Sequence, residues 1–136
     1  MSARSVVNAV VIAATMIAAS APAHAGDWTP KCTDSWVLWT VKTRFAESHG
    51  PFLAPRLTIA DFGTPRQDQL MRGDKTHSVE RRHCSAKIVT SDGVSRQLYY
   101  LIESNMAQAG FGSGVEFCAS GLDPSHIYGA ACASLR

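Results

Sequence analysis

The four cysteines of this chain constrain its fold more than any other feature of the sequence. They are Cys32, Cys84, Cys118 and Cys132, and all follow an N-terminal segment with the pattern of an export signal. An even number of cysteines in an exported chain usually forms disulfides, and four cysteines allow three pairings. Because Cys118 and Cys132 enclose a short segment with its own turn, we expect one bridge between them and a second between Cys32 and Cys84. The competing interpretation is a metal site, but the sequence has no C-x-x-C or H-x-x-x-H spacing.

Residues 1–25 predict a cleaved secretory signal. Arg4 supplies a positive charge, an apolar run extends from Val6 to Ile17, and Ala23-His24-Ala25 matches a small-residue cleavage site. The alternative is a retained membrane anchor, but the apolar run is shorter than the roughly 20 residues of a spanning helix. We therefore expect residues 26–136 to form a single periplasmic or extracellular domain without a membrane span.

Charge and motifs exclude several classes of function. Of the thirteen Lys and Arg residues, one is Arg4 in the signal, so twelve face eleven Asp and Glu in the mature domain. Such a nearly neutral domain does not suggest a nucleic-acid partner, which requires a clearly basic face. The glycine-rich segment 109–114 lacks the Lys-Ser/Thr ending of a phosphate-binding loop, and no serine lies in a G-x-S-x-G or S-x-x-K motif. We expect no metal and no cofactor.

The first half of the mature domain predicts a helix and a strand. Thr33 or Asp34 can cap a helix whose apolar residues recur at helical spacing until His49-Gly50-Pro51 ends it. Residues 56–62 alternate as in a strand. The polar segment 63–79 is expected to be a surface loop, or a loop with one short helical turn at 67–71.

The second half predicts a hairpin, a further strand and a short helix. Residues 82–90 and 95–103 flank Ser91-Asp92-Gly93, a tight-turn signal. Residues 114–119 predict the last strand, and Asp123-Pro124 has the form of a helix N-cap followed by proline. The predicted fold is α+β, with an N-terminal helix packed on a four-stranded antiparallel meander, a short C-terminal helix and two disulfides. This element order is similar to the cystatin-like and NTF2-like layouts.

Three local patterns resemble those of small exported bacterial two-disulfide proteins without an assigned activity. They are Arg82-His83-Cys84-Ser85-Ala86, Tyr100-Leu101-Ile102 and Phe117-Cys118-Ala119-Ser120-Gly121-Leu122-Asp123, with Tyr128 and Cys132 completing the spacing. The resemblance covers the last third to half of the chain. It implies the antiparallel meander and the two disulfides, and it implies no catalytic residues.

Three tryptophans near the start of the mature domain are candidates for a binding surface. They are Trp28, Trp36 and Trp39. The favoured interpretation is that Trp36 and Trp39 pack between the helix and the sheet. The alternative is exposure at a protein interface, where tryptophan is enriched, and Trp28 and Trp39 are then the contact residues.

A cationic group is the second candidate for a binding surface. Arg81 and Arg82 lie between His77 and His83, and Arg72 lies in the polar segment before them. Guanidinium groups could bind a carboxylate, a phosphate or an acidic protein. A solvated strand end explains the same residues without any ligand, and the neutral balance of the domain favours that explanation.

The function predicted from these features is binding of a protein partner, as an inhibitor or accessory subunit of an envelope or secreted complex. The domain would be a monomer or a weak dimer. The alternative is a small secreted phosphodiesterase or ribonuclease with His83, His126, Glu103 and Arg96 as acid, base and phosphate-binding groups. That alternative requires both histidines at one cleft, and Arg96 and Glu103 fall on opposite faces of a regular strand.

Overall fold

The computed structural model describes residues 29–49, 56–77, 79–104 and 113–136. Trp28 and the predicted signal lie outside the described residues. Within them, one helix and five strands precede a short C-terminal 3₁₀ helix. The α+β class, the N-terminal helix, the antiparallel sheet and both predicted disulfides are confirmed.

Helix α1 extends over Ser35–His49 and buries one side against the sheet. The Asp34 carboxylate accepts a hydrogen bond from the Lys31 backbone N–H at 2.8 Å and so fixes the turn from which the helix begins. Val37, Val41 and Phe45 recur at a spacing of four and are fully buried. This spacing places them on one side of the helix, so the core contact follows directly from the sequence pattern.

The five strands form one antiparallel sheet in the spatial order β1-β3-β4-β5, with β2 also paired to β3. The long central pair, β3 and β4, is joined by the predicted tight turn and stays in register over ten residue pairs. Both β1 and β5 lie at an edge. The strands are β1 (Ile59–Phe62), β2 (Arg66–Met71), β3 (Glu80–Thr90), β4 (Ser95–Ser104) and β5 (Gly114–Ala119).

Strands β1 and β2 follow the same side of β3, one after the other. β1 pairs with Ile88–Thr90, and β2 pairs with Arg81–Ser85. Gly63 lies at the break, where its N–H donates to the Lys87 carbonyl at 2.9 Å. A Cβ atom at this position would lie 2.7 Å from that carbonyl oxygen, so the close approach requires glycine. Because Arg66–Met71 form strand β2, the prediction of a loop or helical turn at residues 67–71 is wrong.

The two disulfides lie on opposite faces of the sheet. Cys84 is on the α1 face and joins Cys32, just before the helix. Cys118 is on the other face and joins Cys132 in the 3₁₀ helix (Ala130–Leu135). Each face has its own buried cluster, a large one beneath α1 and a small one of Leu101, Leu135 and the Cys118–Cys132 bridge.

The C-terminal helix begins later than the sequence predicts. Asp123 accepts hydrogen bonds from the backbone N–H groups of Ile127 and Tyr128 at 3.0 and 3.1 Å, which closes a turn. Residues 124–129 then form turns and irregular segments, and the helical segment is the 3₁₀ helix. Ala131 and Cys132 adopt left-handed backbone angles within it, so the segment is not a regular helix. A helix starting at Asp123 is not formed.

Candidate protein-binding surfaces

Two tryptophans project from the outer side of α1. Trp36 is 42% exposed and Trp39 is 67% exposed. Residues three apart are neighbours on a helix surface, so the two side chains lie side by side. They are on the side of α1 away from the buried positions 37, 41 and 45. The expectation that both tryptophans pack between helix and sheet is wrong, since Val37, Val41 and Phe45 fill that space.

The cationic group does not form one exposed cluster. Arg81 donates to Glu103 at 2.7 Å and is half-exposed. Arg82 is buried at 4% exposure, where its guanidinium donates to the Gln67 side chain and to the Thr29 carbonyl. Arg72 is exposed after the end of β2. Of these three arginines, Arg72 and Arg81 alone face solvent.

The four residues of the hydrolase hypothesis are dispersed. His83 is buried, with Nδ1 3.3 Å from the Leu135 carbonyl oxygen. His126 is exposed in the turn region before the 3₁₀ helix. Arg96 pairs with Asp92 near one end of β4, and Glu103 pairs with Arg81 near the other, about 23 Å away along an extended strand. His126 lines a small hollow, and the other three residues line neither that hollow nor the larger groove described next.

A groove of about 1030 Å³ lies between the end of α1, strand β5 and residues 121–128. We refer to it as the β5 groove. Arg44 connects two of its walls, since its Nη1 donates to the Val115 carbonyl at 2.6 Å. His49 connects the same helix to the third wall, with Nε2 3.3 Å from the Leu122 carbonyl oxygen. The ring of His49 also stacks on Phe45 at a centroid distance of 4.4 Å, which fixes its position.

The charge at the β5 groove is mainly acidic. Glu47, Glu116 and Asp123 line it together with a single arginine, Arg44. Hydrogen bonds from the Tyr128 and Ile127 backbone N–H groups lower the pKa of Asp123, so this carboxyl is ionised at neutral pH. Burial, and then the charge of Glu116, raise the pKa of Tyr128, so its phenol remains protonated.

Sequence reasoning did not find the β5 groove. Its walls come from segments about 70 residues apart, as the Arg44–Val115 and His49–Leu122 contacts show. His49 is the last residue of α1, and its Nδ1 lies 3.2 Å from the Phe45 carbonyl oxygen in the last turn. Its second contact, across the groove, has no local sequence signal.

The described residues contain no group of three or more metal-ligating side chains arranged to hold an ion. Nor does the described part of the chain include a helix with the length and apolar character needed to cross a bilayer. In comparisons with known proteins, this chain matches no family model, no curated protein and no solved structure.

Proposed function

We propose that this chain is an exported protein-binding domain, acting as an inhibitor or accessory subunit of an envelope or secreted complex. Export is supported by the signal pattern of residues 1–25 and by two disulfides, which persist in oxidising compartments. The contact surface is the outer side of α1. The observation that carries the proposal is the exposure of both Trp36 and Trp39 on that side.

The energetic reason is that tryptophan exposes a large apolar surface to water. Partial burial by a partner removes that surface from solvent, and tryptophan is among the residues that contribute most to binding energy at interfaces. The helix beneath is held firmly, because Val37, Val41 and Phe45 are fully buried and Cys32 ties its start to β3. A rigid helix presents the two rings without a large ordering cost on association.

The test is capture of partners by residues 26–136 from the protein's own secretome and envelope fraction. The Trp36→Ala/Trp39→Ala double variant should lose the specifically captured proteins. Val94→Ala is the matched control, since Val94 is 46% exposed but lies at the hairpin turn. Retention of the same partners by the double variant, or equal loss in the control, would show that α1 is not the contact surface.

A further inference from the structure

Among the described strands, β4 alone pairs with β5, so one side of the β5 backbone has no strand partner in the described part of the chain. The Ser120 N–H, just after the end of β5, donates to the carbonyl of Gln97 in β4 at 2.9 Å. In an antiparallel pair, the backbone N–H and C=O groups of every second residue point toward the partner strand. The backbone groups of Cys118 and Glu116, two and four residues before Ser120, therefore point toward β4 as well. Those of Ala119, Phe117 and Val115 therefore point away from the sheet, toward the β5 groove.

Two hydrogen bonds agree with this direction. The Val115 carbonyl accepts from Arg44, and the Ala119 carbonyl accepts from the Leu122 N–H at 3.0 Å. Among the described residues, the Phe117 N–H and C=O and the N–H groups of Val115 and Ala119 have no hydrogen-bond partner. They are spaced as in a β-ladder and lie along a groove, which is the arrangement that accepts an added strand.

The side chains along β5 define the chemistry of that strand. Glu116 projects on the same face as Cys118, whose sulfur lies 3.9 Å from the Asp123 carboxylate. Phe117 projects on the opposite face, where its ring lies 6.3 Å from that of His49 and where Leu122 also packs. One face of the groove is therefore acidic and the other apolar.

We propose that the β5 edge binds an extended segment of a partner protein in which basic and apolar side chains alternate. Cross-strand neighbours on one face of a sheet interact directly, so a basic residue lies opposite Glu116, on the face where the Asp123 carboxylate also lies. The intervening apolar residues lie against Phe117. This surface is separate from the tryptophans of α1, so either proposal can fail without the other.

A second copy of this chain is a poorer occupant. Pairing of two β5 edges around a twofold axis would place both Glu116 and both Asp123 carboxylates on the same face of the joined sheet. Like charges in cross-strand positions are destabilising. An acidic strand thus disfavours its own copy and favours a basic partner.

The test uses oxidised residues 26–136 and a seven-residue peptide of alternating Lys and Val, with binding measured by calorimetry. Four control peptides match it. One has the same composition with the Lys residues in one block, and one alternates Glu and Val. The other two are the Lys–Val peptide N-methylated at every second residue, one in each of the two possible registers. We expect the alternating Lys–Val peptide to bind and the Glu–Val peptide not to bind. One N-methylated register should bind at least about tenfold more weakly, because it removes the ladder hydrogen bonds.

Two protein variants complete the test. Glu116→Lys should reverse the preference between the Lys–Val and Glu–Val peptides, whereas Asp61→Lys, on β1 beyond β3 and β4, should not. Hydrogen exchange at the Phe117 amide should slow on binding. Four outcomes would each overturn the proposal. The block peptide could bind as tightly as the alternating one, or both N-methylated registers could weaken binding equally. The alternating peptide could fail to bind at all, or the protein could self-associate through β5. The Trp36→Ala/Trp39→Ala variant should bind the peptide normally, which separates this result from the test of the α1 surface.

Discussion

The Tyr100 hydroxyl connects the centre of the sheet to the segment that precedes α1. Tyr100 is fully buried, and its hydroxyl donates to the Cys32 carbonyl at 2.7 Å. Burial, and then the charge of Asp68, raise the pKa of Tyr100 above its usual value, so the phenol remains a donor. Cys32 is held at the same point by its disulfide to Cys84, the residue paired with Tyr100 across β3 and β4.

Tyr100→Phe should therefore lower the free energy of unfolding by about 1–3 kcal/mol, because it leaves the buried Cys32 carbonyl without a donor. The measurement is urea unfolding of the oxidised protein. Tyr99→Phe is the control, since Tyr99 is half-buried and its hydroxyl has no hydrogen bond to the described residues. Equal losses in the two variants would contradict a specific role for the Tyr100 hydroxyl.

The β3–β4 hairpin is closed by a network around Asp92. Its carboxylate accepts from the Arg96 guanidinium at 2.8 and 3.0 Å, from the Thr90 hydroxyl at 2.6 Å and from the Val94 N–H at 3.1 Å. These bonds, with that of Arg96 the largest cause, lower the pKa of Asp92 well below its usual value. The turn that the Asp-Gly sequence predicts is thus also an ionic contact.

The network makes hairpin stability dependent on pH. A carboxyl group whose pKa is lowered on folding stabilises the fold above its unfolded pKa of about 4, and the contribution disappears as the pH falls toward the folded pKa. Asp92→Asn should therefore be less stable than the parent at pH 7, and the difference should narrow below pH 4. The measurement is urea unfolding across that range. The control is Asp61→Asn, which removes a carboxylate from β1 and should not show this pH-dependent loss of stability. If the stability difference between Asp92→Asn and the parent stays constant with pH, the charge of Asp92 is not involved.

The elements predicted correctly are those whose apolar pattern is decided by local packing. The spacing of Val37, Val41 and Phe45 predicts α1, and the Asp-Gly turn predicts the central hairpin. Strand β2 was missed because five of its six residues are exposed, so no apolar alternation marks it. It forms because its backbone pairs with β3 and because Gln67 accepts from the buried Arg82, two contacts that depend on the folded neighbour.

Features of the whole molecule, such as the exposure of the tryptophans and the β5 groove, depend on which helices and strands pack together. The spacing of Trp36 and Trp39 was compatible with burial or exposure, and the size of the core beneath α1 decided between them. The β5 groove likewise requires the end of α1 to lie against β5. The cysteine positions were more informative, because a bridge between Cys118 and Cys132 needs only a local turn and then leaves one partner for Cys32.

The two disulfides should contribute unequally to the stability of the whole domain. Cys32–Cys84 closes a loop of 52 residues and Cys118–Cys132 a loop of 14. Restriction of the unfolded chain predicts contributions of about 4 and about 3 kcal/mol, respectively. Cys84 is also fully buried beneath α1, so its truncation leaves a cavity in the main core.

We therefore expect Cys32→Ala/Cys84→Ala to lose more stability than Cys118→Ala/Cys132→Ala in urea unfolding, by about 1 kcal/mol or more. Hydrogen exchange should locate the effects, with α1 losing protection in the first variant and the C-terminal segment in the second. The reason for this separation is that each bridge ties a different segment to a different face of one sheet. A uniform loss of protection in both variants would contradict it, as would detection of a Cys32–Cys118 bridge by peptide mass mapping of the oxidised parent.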